Sequence, residues 1–335
     1  MNFGATILDA TGMRLGREEK ALFRDVNPFG FILFARNIDT GDQVRALCAD
    51  FREAVGRECL ITIDQEGGRV QRLRAPLARN WLPPLEHVTR AGKGAGRAMY
   101  LRYRLIADEL HGLGIDSNCA PMLDLAGPQT HPFLRNRCYG EDVATVHIMG
   151  QAAALGLLDG GVVPVVKHMP GHGRSAQDSH LDLPHVDAQP EVLNDTDFAV
   201  FRVLNDLPMG MTAHLVYDAI DPLPATISPS MIGVIRDQIG FDGLLMTDDI
   251  SMKALAGSLG DITRASLAAG CDVVLACNRS LGERDEVAQA AGLMSAAAQT
   301  RAETAIAARL APLELDIAAA EADLSRLMGG QVYER

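Results

Sequence analysis

The sequence predicts an α/β protein that folds as a single (β/α)8 barrel of the TIM type. Three observations support this fold class: the chain has 335 residues, eight short apolar runs recur along it, and helical patterns separate most of these runs. Apolar runs without polar alternation are typical of parallel strands buried on both faces. Strands that alternate with helices favour a barrel or a doubly wound open sheet. No G-x-G-x-x-G follows the first strand, which disfavours the dinucleotide-binding form of the open sheet.

The eight predicted strands extend from the amino terminus to about residue 278. In chain order they are ATILDA from Ala5, GFILFAR from Gly30, CLITIDQ from Cys59, IDSNCAPMLDL from Ile115, GVVPVVKH from Gly161, MGMTAHL from Met209, GLLMTDD from Gly243 and DVVLACN from Asp272. Their number equals the strand number of a TIM barrel.

Helical spacing is found in the segments between the strands. After the second strand, five apolar residues share one helical face: Val44, Leu47, Cys48, Phe51 and Val55. The stretch RAMYLRYRLIADELHGLG predicts a long helix that ends near its glycines. Ser228 is expected to be an N-cap, with Pro229 at the first helical position. The alanine-rich tail at about 283–327 predicts closing helices, so residues 1–335 are expected to form one domain.

Composition excludes several classes of protein. Lys and Arg number 31 and Asp and Glu number 43, so the net charge is −12 and a nucleic-acid partner is not expected. Apolar segments are too short to span a bilayer, so no membrane association is expected. The amino terminus lacks a secretory pattern, which predicts a cytoplasmic protein. The six cysteines form no Cys-x-x-Cys pair and are expected to be reduced and buried.

Polar residues follow six of the eight predicted strands, at the carboxyl end of each. They are Asp64, Asp124, Lys167 with His168, His214, Asp248 with Asp249, and Asn278. In (β/α)8 barrels the active site lies at this end of the strands. Polar residues that served only the structure would be distributed over both ends, so the clustering indicates an enzyme.

The fifth strand leads into KHMPGHGRSAQDSH, a stretch from Lys167 to His180 that is dense in titratable residues. Asp178 and His180 lie two residues apart, which places both side chains on one face of an extended segment. A carboxylate beside an imidazole fixes its tautomer and raises its pKa, as in acid–base dyads. The alternatives are an Asx-type turn beside a solvated histidine, and a strand-end salt bridge for Lys167 and His168.

Two further patterns have alternative interpretations. Asp248 and Asp249 are adjacent in a strand, so only one can face the barrel mouth and the other could cap the following helix. His168, His172 and His180 have the composition of metal ligands. A proline and a glycine separate His168 from His172, however, so these two cannot share a helix face, and no metal is expected.

Three stretches together resemble glycoside hydrolase family 3: KHMPGHGRSAQDSH, IDQEGGRVQR and GLLMTDDISM. Four others fit the same pattern in order: LDATGMRLGREE, GFILFARN, RNRCYGED and AGCDVVLACN. The resemblance covers roughly residues 8–280. Within the family, the sequence is most similar to the single-domain bacterial β-N-acetylglucosaminidases, or β-hexosaminidases, of peptidoglycan recycling.

The resemblance implies a (β/α)8 barrel and a retaining mechanism without a cofactor. Asp248 matches the nucleophile that forms a covalent glycosyl-enzyme, and His180 matches the acid/base, with Asp178 as its partner. Five residues match those that bind the N-acetylglucosamine hydroxyls: Asp64, Arg72, Arg137, Lys167 and His168.

The expected reaction is hydrolysis of terminal β-linked N-acetylglucosamine from muropeptides, the GlcNAc-anhydro-N-acetylmuramic acid-peptides of cell-wall recycling. The only expected partner is this small amino-sugar substrate, and we expect a monomer. A carboxylate can stabilise and trap the oxocarbenium-like state of glycoside cleavage. An imidazole can protonate the leaving oxygen near neutral pH.

Three other functions remain open from the sequence. A phosphorylase would use phosphate in place of water, and a histidine acid would not repel the incoming anion. A metal-dependent barrel amidohydrolase would be sensitive to chelators. A non-catalytic sugar-binding barrel would show no turnover, but the presence of Asp248, Asp178 and His180 disfavours it.

Overall fold

The computed structural model describes residues 2–175, 183–331 and 333–334, and its central feature is a barrel of eight parallel strands. They are β1 (Gly4–Asp9), β2 (Pro28–Leu33), β3 (Leu60–Ile63), β4 (Ser117–Asn118), β5 (Val163–Met169), β6 (Met209–Thr212), β7 (Leu244–Met246) and β8 (Val274–Ala276). Each strand pairs with the next in sequence from β1 to β7, and β1 pairs with β8. A parallel bridge between Met246 and Val273 joins β7 to β8. The predicted α/β barrel is confirmed.

The fourth strand is shorter than the sequence predicts. Only Ser117 and Asn118 pair regularly, because Pro121 has no N–H to donate to a neighbouring strand. Contact with β5 continues beyond this point, since the Leu123 N–H donates to the Lys167 carbonyl oxygen at 2.7 Å. The residues after Leu123 therefore still reach the carboxyl end of the barrel.

The strands alternate between two apolar cores. Val163 and Val165 on β5 belong to a cluster inside the barrel, whereas Val166 belongs to the larger cluster between strands and helices. Every residue of the eight barrel strands is buried. This explains why the strands appear in the sequence as continuous apolar runs.

Helices surround the barrel and connect its strands. They are α1 (Arg17–Val26), α2 (Gly41–Val55), α3 (Pro84–Ala91), α4 (Ala95–Gly112), α5 (Pro132–Arg135), α6 (Val143–Asp159), α7 (Pro190–Asp195), α8 (Ala199–Arg202), α9 (Pro229–Gly233), α10 (Leu259–Ala269), α11 (Leu281–Ala291), α12 (Ala296–Ala307) and α13 (Ile317–Met328). The five apolar residues predicted to share a face of α2 are all buried. Ser228 is the predicted N-cap of α9, and its hydroxyl accepts the Met231 N–H at 3.0 Å.

The predicted closing helices are α11, α12 and α13, and they have different positions. Helix α11 packs against α10 and β1, and α13 packs against α3 and α4. Ala298, Ala302 and Ala305 of α12 belong to the cluster inside the barrel, together with Phe3. Because Phe3 precedes β1, α12 closes the amino-terminal end of the barrel and leaves the carboxyl end open.

Two expectations from composition can be compared with the structure. All six cysteines lie in the described part of the chain, and each is a buried free thiol, as predicted. Among the described helices, none has the length and apolar character needed to cross a membrane.

Gly156 allows α6 to pack closely against α4. A Cβ at this position would lie 2.6 Å from the Tyr100 carbonyl oxygen and 2.9 Å from the Arg104 nitrogen, both backbone atoms of α4. Gly156→Ala should therefore lower the free energy of unfolding by about 1–3 kcal/mol, measured by urea denaturation. Gly112→Ala is the matched control, since nothing lies within 4 Å of its Cβ. Equal unfolding midpoints for the two variants would contradict the proposed packing.

Candidate active site

A cleft of about 350 Å³ opens at the carboxyl end of the barrel. It is lined by six of the eight residues that the sequence singled out for binding or catalysis: Asp64, Arg72, Arg137, Lys167, His168 and Asp248. The remaining two, Asp178 and His180, lie outside the described residues. The structure thus brings together side chains from β5 and from the loops that follow β3, β4 and β7.

A row of alternating charges forms one wall of the cleft. Lys167 is central, with its Nζ 3.0 Å from Asp64 Oδ1 and 2.6 Å from Glu66 Oε1. Asp64 Oδ2 also accepts a hydrogen bond from Arg72 at 2.8 Å. Arg137 donates two hydrogen bonds to Glu66, at 2.8 and 3.0 Å. This row is the predicted strand-end salt bridge of Lys167, extended to five charged groups.

The row keeps its charges although its centre is buried. Burial alone would raise the pKa of the Asp64 carboxyl, but Lys167 and Arg72 outweigh it and hold that pKa below its usual range. Burial opposes ionisation of Glu66 in the same way, and Arg137 and Lys167 lower its pKa to about 2. The two carboxylates in turn overcome burial and raise the pKa of Lys167. All three groups are therefore charged at neutral pH.

Glu66 is the member of this row that sequence reasoning missed. It lies two residues after Asp64, a spacing that places both carboxylates on one face of an extended segment, so a signal was present. Gln65–Gly67 pairs antiparallel with Val70–Gln71 in a short hairpin. Arg102, buried beneath the hairpin, donates to the Glu66 carbonyl oxygen at 2.6 Å.

Asp124 holds two of the histidines that line the cleft, His168 and His172. Its Oδ2 lies 2.7 Å from His168 Nδ1, and its Oδ1 accepts the His172 N–H at 2.6 Å. Burial lowers the pKa of the His172 imidazole to about 4, against the opposing charge of Asp124, so this ring is neutral at neutral pH. Asp124 thereby fixes the orientation of His168 at the cleft wall.

The two adjacent carboxylates after β7 have different environments. Asp249 Oδ1 accepts the N–H groups of Ser251 and Cys277, at 3.0 and 3.1 Å, so this residue holds the turn. Burial raises the pKa of Asp249 to about 6. Burial would likewise raise the pKa of Asp248. The nearby imidazoles of His214 and His168 outweigh burial and lower the pKa of Asp248. Of these two adjacent carboxyls, Asp248 is therefore the stronger acid and stays ionised to lower pH than Asp249.

Two predicted rim residues support the cleft without lining it. Asp124 contacts His168 from behind. The His214 ring lies 2.7 Å from the Thr226 hydroxyl through Nδ1 and 3.0 Å from the Asp249 carbonyl oxygen through Nε2. Position at a strand end therefore identified the correct end of the barrel but did not separate lining residues from supporting ones.

The metal-ligand pattern considered in the sequence is only partly within the described residues. The rings of His168 and His172 are 5.7 Å apart, and both contact Asp124. In the described ranges, no three His, Cys, Asp or Glu side chains come together as a metal-binding group.

The fold and cleft define a barrel enzyme that binds a small, hydroxyl-rich substrate. Alternating carboxylates and cations supply the paired hydrogen-bond acceptors and donors that hydroxyl groups require, and an ionised carboxylate lies beside them. Residues 6–310 match the glycosyl hydrolase family 3 N terminal domain. The chain therefore belongs to glycoside hydrolase family 3.

Known proteins similar to the chain support this membership. Over 285 residues it is 39% identical to the beta-hexosaminidase of Alkalilimnicola ehrlichii, covering 83% of this chain and 82% of that protein. It is 36% identical to the beta-hexosaminidase of Vibrio cholerae, with coverages of 82% and 83%. The crystal structure of NagZ from Neisseria gonorrhoeae in complex with N-trifluoroacetyl-D-glucosamine superimposes with a TM-score of 0.86 at 31% identity, covering 98% of this chain and 99% of that one.

Glu66→Gln should lower the free energy of unfolding by about 3–5 kcal/mol at pH 7, because it leaves Lys167 and Arg137 without their shared buried carboxylate. The pKa of Glu66 is depressed on folding, so its contribution is present above the unfolded pKa of about 4.3 and is lost as the pH falls towards about 2. The difference between variant and wild type should shrink over this range, measured by denaturation at several pH values.

The control for this experiment is Glu53→Gln. Glu53 pairs with Lys20 at 3.0 Å, but its side chain is 73% exposed, so the free energy of unfolding should change by less than about 1 kcal/mol. A Glu66 variant that behaved like the Glu53 variant would show that the charged row does not stabilise the fold.

Proposed function

We propose that the protein is a retaining exo-β-N-acetylglucosaminidase that hydrolyses terminal β-linked N-acetylglucosamine from muropeptides during cytoplasmic cell-wall recycling. The observation that carries the proposal is the assembly of Asp248 and five predicted sugar-binding residues in one cleft of a family 3 barrel. The beta-hexosaminidase names of the relatives support the class of substrate.

The terminal sugar would bind against the charged row. Asp64 offers carboxylate oxygens as acceptors, and Lys167, Arg72 and Arg137 offer N–H donors. The buried Glu66 holds Lys167 and Arg137 in place behind them. Each ion is already held by an opposite charge, so the row is preorganised and sugar hydroxyls need not reorient it. His168 supplies a further polar atom, held in place by Asp124.

Asp248 would act as the nucleophile. The lowered pKa of its carboxyl keeps it anionic at neutral pH, which stabilises positive charge at the anomeric carbon and permits attack on it. The Asp249 N–H donates to Asp248 Oδ1 at 2.8 Å and orients the carboxylate. The C1–O bond to the leaving group would break as the Asp248–C1 bond forms, and water would later release the sugar with retained configuration.

His180 would protonate the leaving oxygen and then remove a proton from the attacking water, with Asp178 fixing its tautomer. The described residues that flank this segment are anchored to the loops that follow β4 and β6. The Thr130 hydroxyl donates to the Gly173 carbonyl oxygen, and the Val216 N–H donates to the Pro184 carbonyl oxygen at 3.0 Å. These anchors lie on both sides of the proposed acid/base.

The first test compares wild type with Asp248→Asn on 4-nitrophenyl N-acetyl-β-glucosaminide, with chelator present and phosphate absent. Wild type should release 4-nitrophenol, and the variant should lose at least about a thousandfold in turnover because it lacks the nucleophile. Asp242→Asn is the matched control. Asp242 is exposed before the amino end of the same strand, so its variant should keep full activity.

Other outcomes of this test favour other functions. Turnover that required phosphate and produced a sugar 1-phosphate would favour a phosphorylase. Loss of activity in the presence of chelator would favour a metal-dependent hydrolase. Wild-type levels of activity in Asp248→Asn would remove Asp248 from the mechanism.

The role of His180 is tested by the leaving group. His180→Ala should slow cleavage of a glycoside with a poorly acidic leaving group by about 10²–10⁴-fold, because protonation of the leaving oxygen is lost. Cleavage of the 2,4-dinitrophenyl glycoside should be affected much less in its first step, since that leaving group departs without a proton. Equal losses for both substrates, measured by pre-steady-state release, would contradict general acid catalysis by His180.

A further inference from the structure

The side of the cleft formed by β8, β1 and β2 carries residues that the proposed mechanism does not use. Phe34 follows β2, Arg36 lies one turn beyond it, and Asn278 follows β8. Phe34 and Asn278 both line the cleft. We call Phe34, Arg36 and Asn278 the ledge.

Asn278 has an unusual backbone conformation. Its φ is +59°, in the left-handed region, and the only other non-glycine residue with positive φ in the described ranges is Asn27, at +43°. Asn27 is the C-cap of α1, where this conformation is ordinary. Asn278 does not end a helix, and its N–H donates to the buried Asp9 carboxylate at 2.7 Å. Strain of this kind outside a helix end is typical of functional sites.

The side-chain amide of Asn278 has a fixed orientation. Arg36 Nη1 lies 2.6 Å from its oxygen, and because a guanidinium can only donate, that atom must be the acceptor Oδ1. The NH2 group is then the other end of the amide, and within the described residues it donates to no protein atom. Arg36 is itself held by Asp9, to which it donates through Nη2. The ledge therefore presents an oriented hydrogen-bond donor.

Phe34 gives the ledge a flat surface beside this donor. Its ring is flanked by two guanidinium groups, with the Arg36 Cζ at 4.7 Å and the Arg72 Cζ at 5.5 Å from the ring centroid. Each arginine is balanced by a carboxylate, Asp9 for Arg36 and Asp64 for Arg72. The ledge is therefore electrically balanced, and it suits a neutral ring that carries oxygen atoms better than an anion.

Exposure places the ledge nearer the mouth than Lys167 and Arg137, the inner part of the charged row, whereas Arg72 at the outer end of the row is 28% exposed. The side chain of Lys167 is 2% exposed and that of Arg137 is 8% exposed, whereas that of Arg36 is 34% exposed. Asn278 is also exposed. In an enzyme that removes a terminal sugar, that sugar occupies the closed end of the cleft and the aglycone leaves through the mouth.

The ledge is also connected to the proposed nucleophile. Asp249, which follows Asp248, accepts the Cys277 N–H at 3.1 Å, and the Ser251 hydroxyl donates to the Cys277 carbonyl oxygen at 3.1 Å. Asn278 is the next residue along the chain. These hydrogen bonds fix the ledge relative to the scissile bond.

We propose that the ledge is the aglycone subsite, which binds a neutral ring carrying oxygen acceptors, such as a second sugar. The ring of the aglycone lies against Phe34, and one of its oxygens accepts a hydrogen bond from the Asn278 NH2 group. This inference rests on the proposed glycosidase function and adds to it the chemistry of the leaving group.

The test compares kcat/KM for two substrates, N,N′-diacetylchitobiose and phenyl N-acetyl-β-glucosaminide, whose phenyl ring has no further oxygen. Asn278→Gly and Asn278→Asp both tolerate a positive φ, and both remove the NH2 donor. The kcat/KM of each variant should fall about five- to tenfold on the disaccharide, because one hydrogen bond to the substrate is lost. On the phenyl glycoside, kcat/KM should stay within about twofold of wild type. Asn27→Gly is the matched control, with no change expected on either substrate.

Several results would overturn the inference. Equal losses of kcat/KM on both substrates would mean that Asn278 contacts the terminal sugar and not the aglycone. A wild-type kcat/KM of Asn278→Asp on the disaccharide would show that the Asn278 NH2 group does not donate to the aglycone. A larger loss on the 4-carboxyphenyl glycoside than on the disaccharide would make the ledge an anion site. If wild type cleaves the phenyl glycoside but not the disaccharide, the inference fails and the proposed function survives. If it cleaves neither substrate, both fail.

Discussion

The buried charge on Lys167 is the constraint on which the cleft depends. An ammonium group removed from water is costly unless oppositely charged groups surround it, and here Asp64 and Glu66 lie 3.0 and 2.6 Å away. Those carboxylates are held by Arg72 and Arg137, so the network extends from β3 across β4 to β5. Four of the five charges that maintain this wall, all except the buried Glu66, are also proposed to bind the sugar. Stability and preorganisation therefore come from the same contacts.

The two ends of the barrel have different roles. At the amino-terminal end, α12 places Ala298, Ala302 and Ala305 against the inner core and closes the barrel with small apolar residues. At the carboxyl end, the strands finish in charged and amide groups that cannot be covered without loss of hydration. The apolar core thus fixes the positions of the strands, and the strand ends supply the chemistry.

Much of the fold could be predicted from the sequence, because parallel strands buried on both faces leave continuous apolar runs. The site was predicted less completely. Glu66 was missed although it lies within the recognised stretch IDQEGGRVQR, because its importance becomes apparent only when Lys167 and Arg137 converge on it. The predicted roles of His214 and Asp124 at the rim were too broad, since strand-end position does not show whether a side chain faces the cleft or a neighbouring turn.

The sequence by itself determined the order of eight strands, the end of the barrel that carries the polar residues, and membership of glycoside hydrolase family 3. Local patterns suffice for these, because strand and helix periodicities depend on near neighbours. Only the tertiary structure decided which carboxylates pair with Lys167, which of Asp248 and Asp249 holds the turn, and how Arg36 orients Asn278. Such contacts join residues that are far apart in the chain, and their pKa values and orientations depend on burial and on charges that other strands contribute.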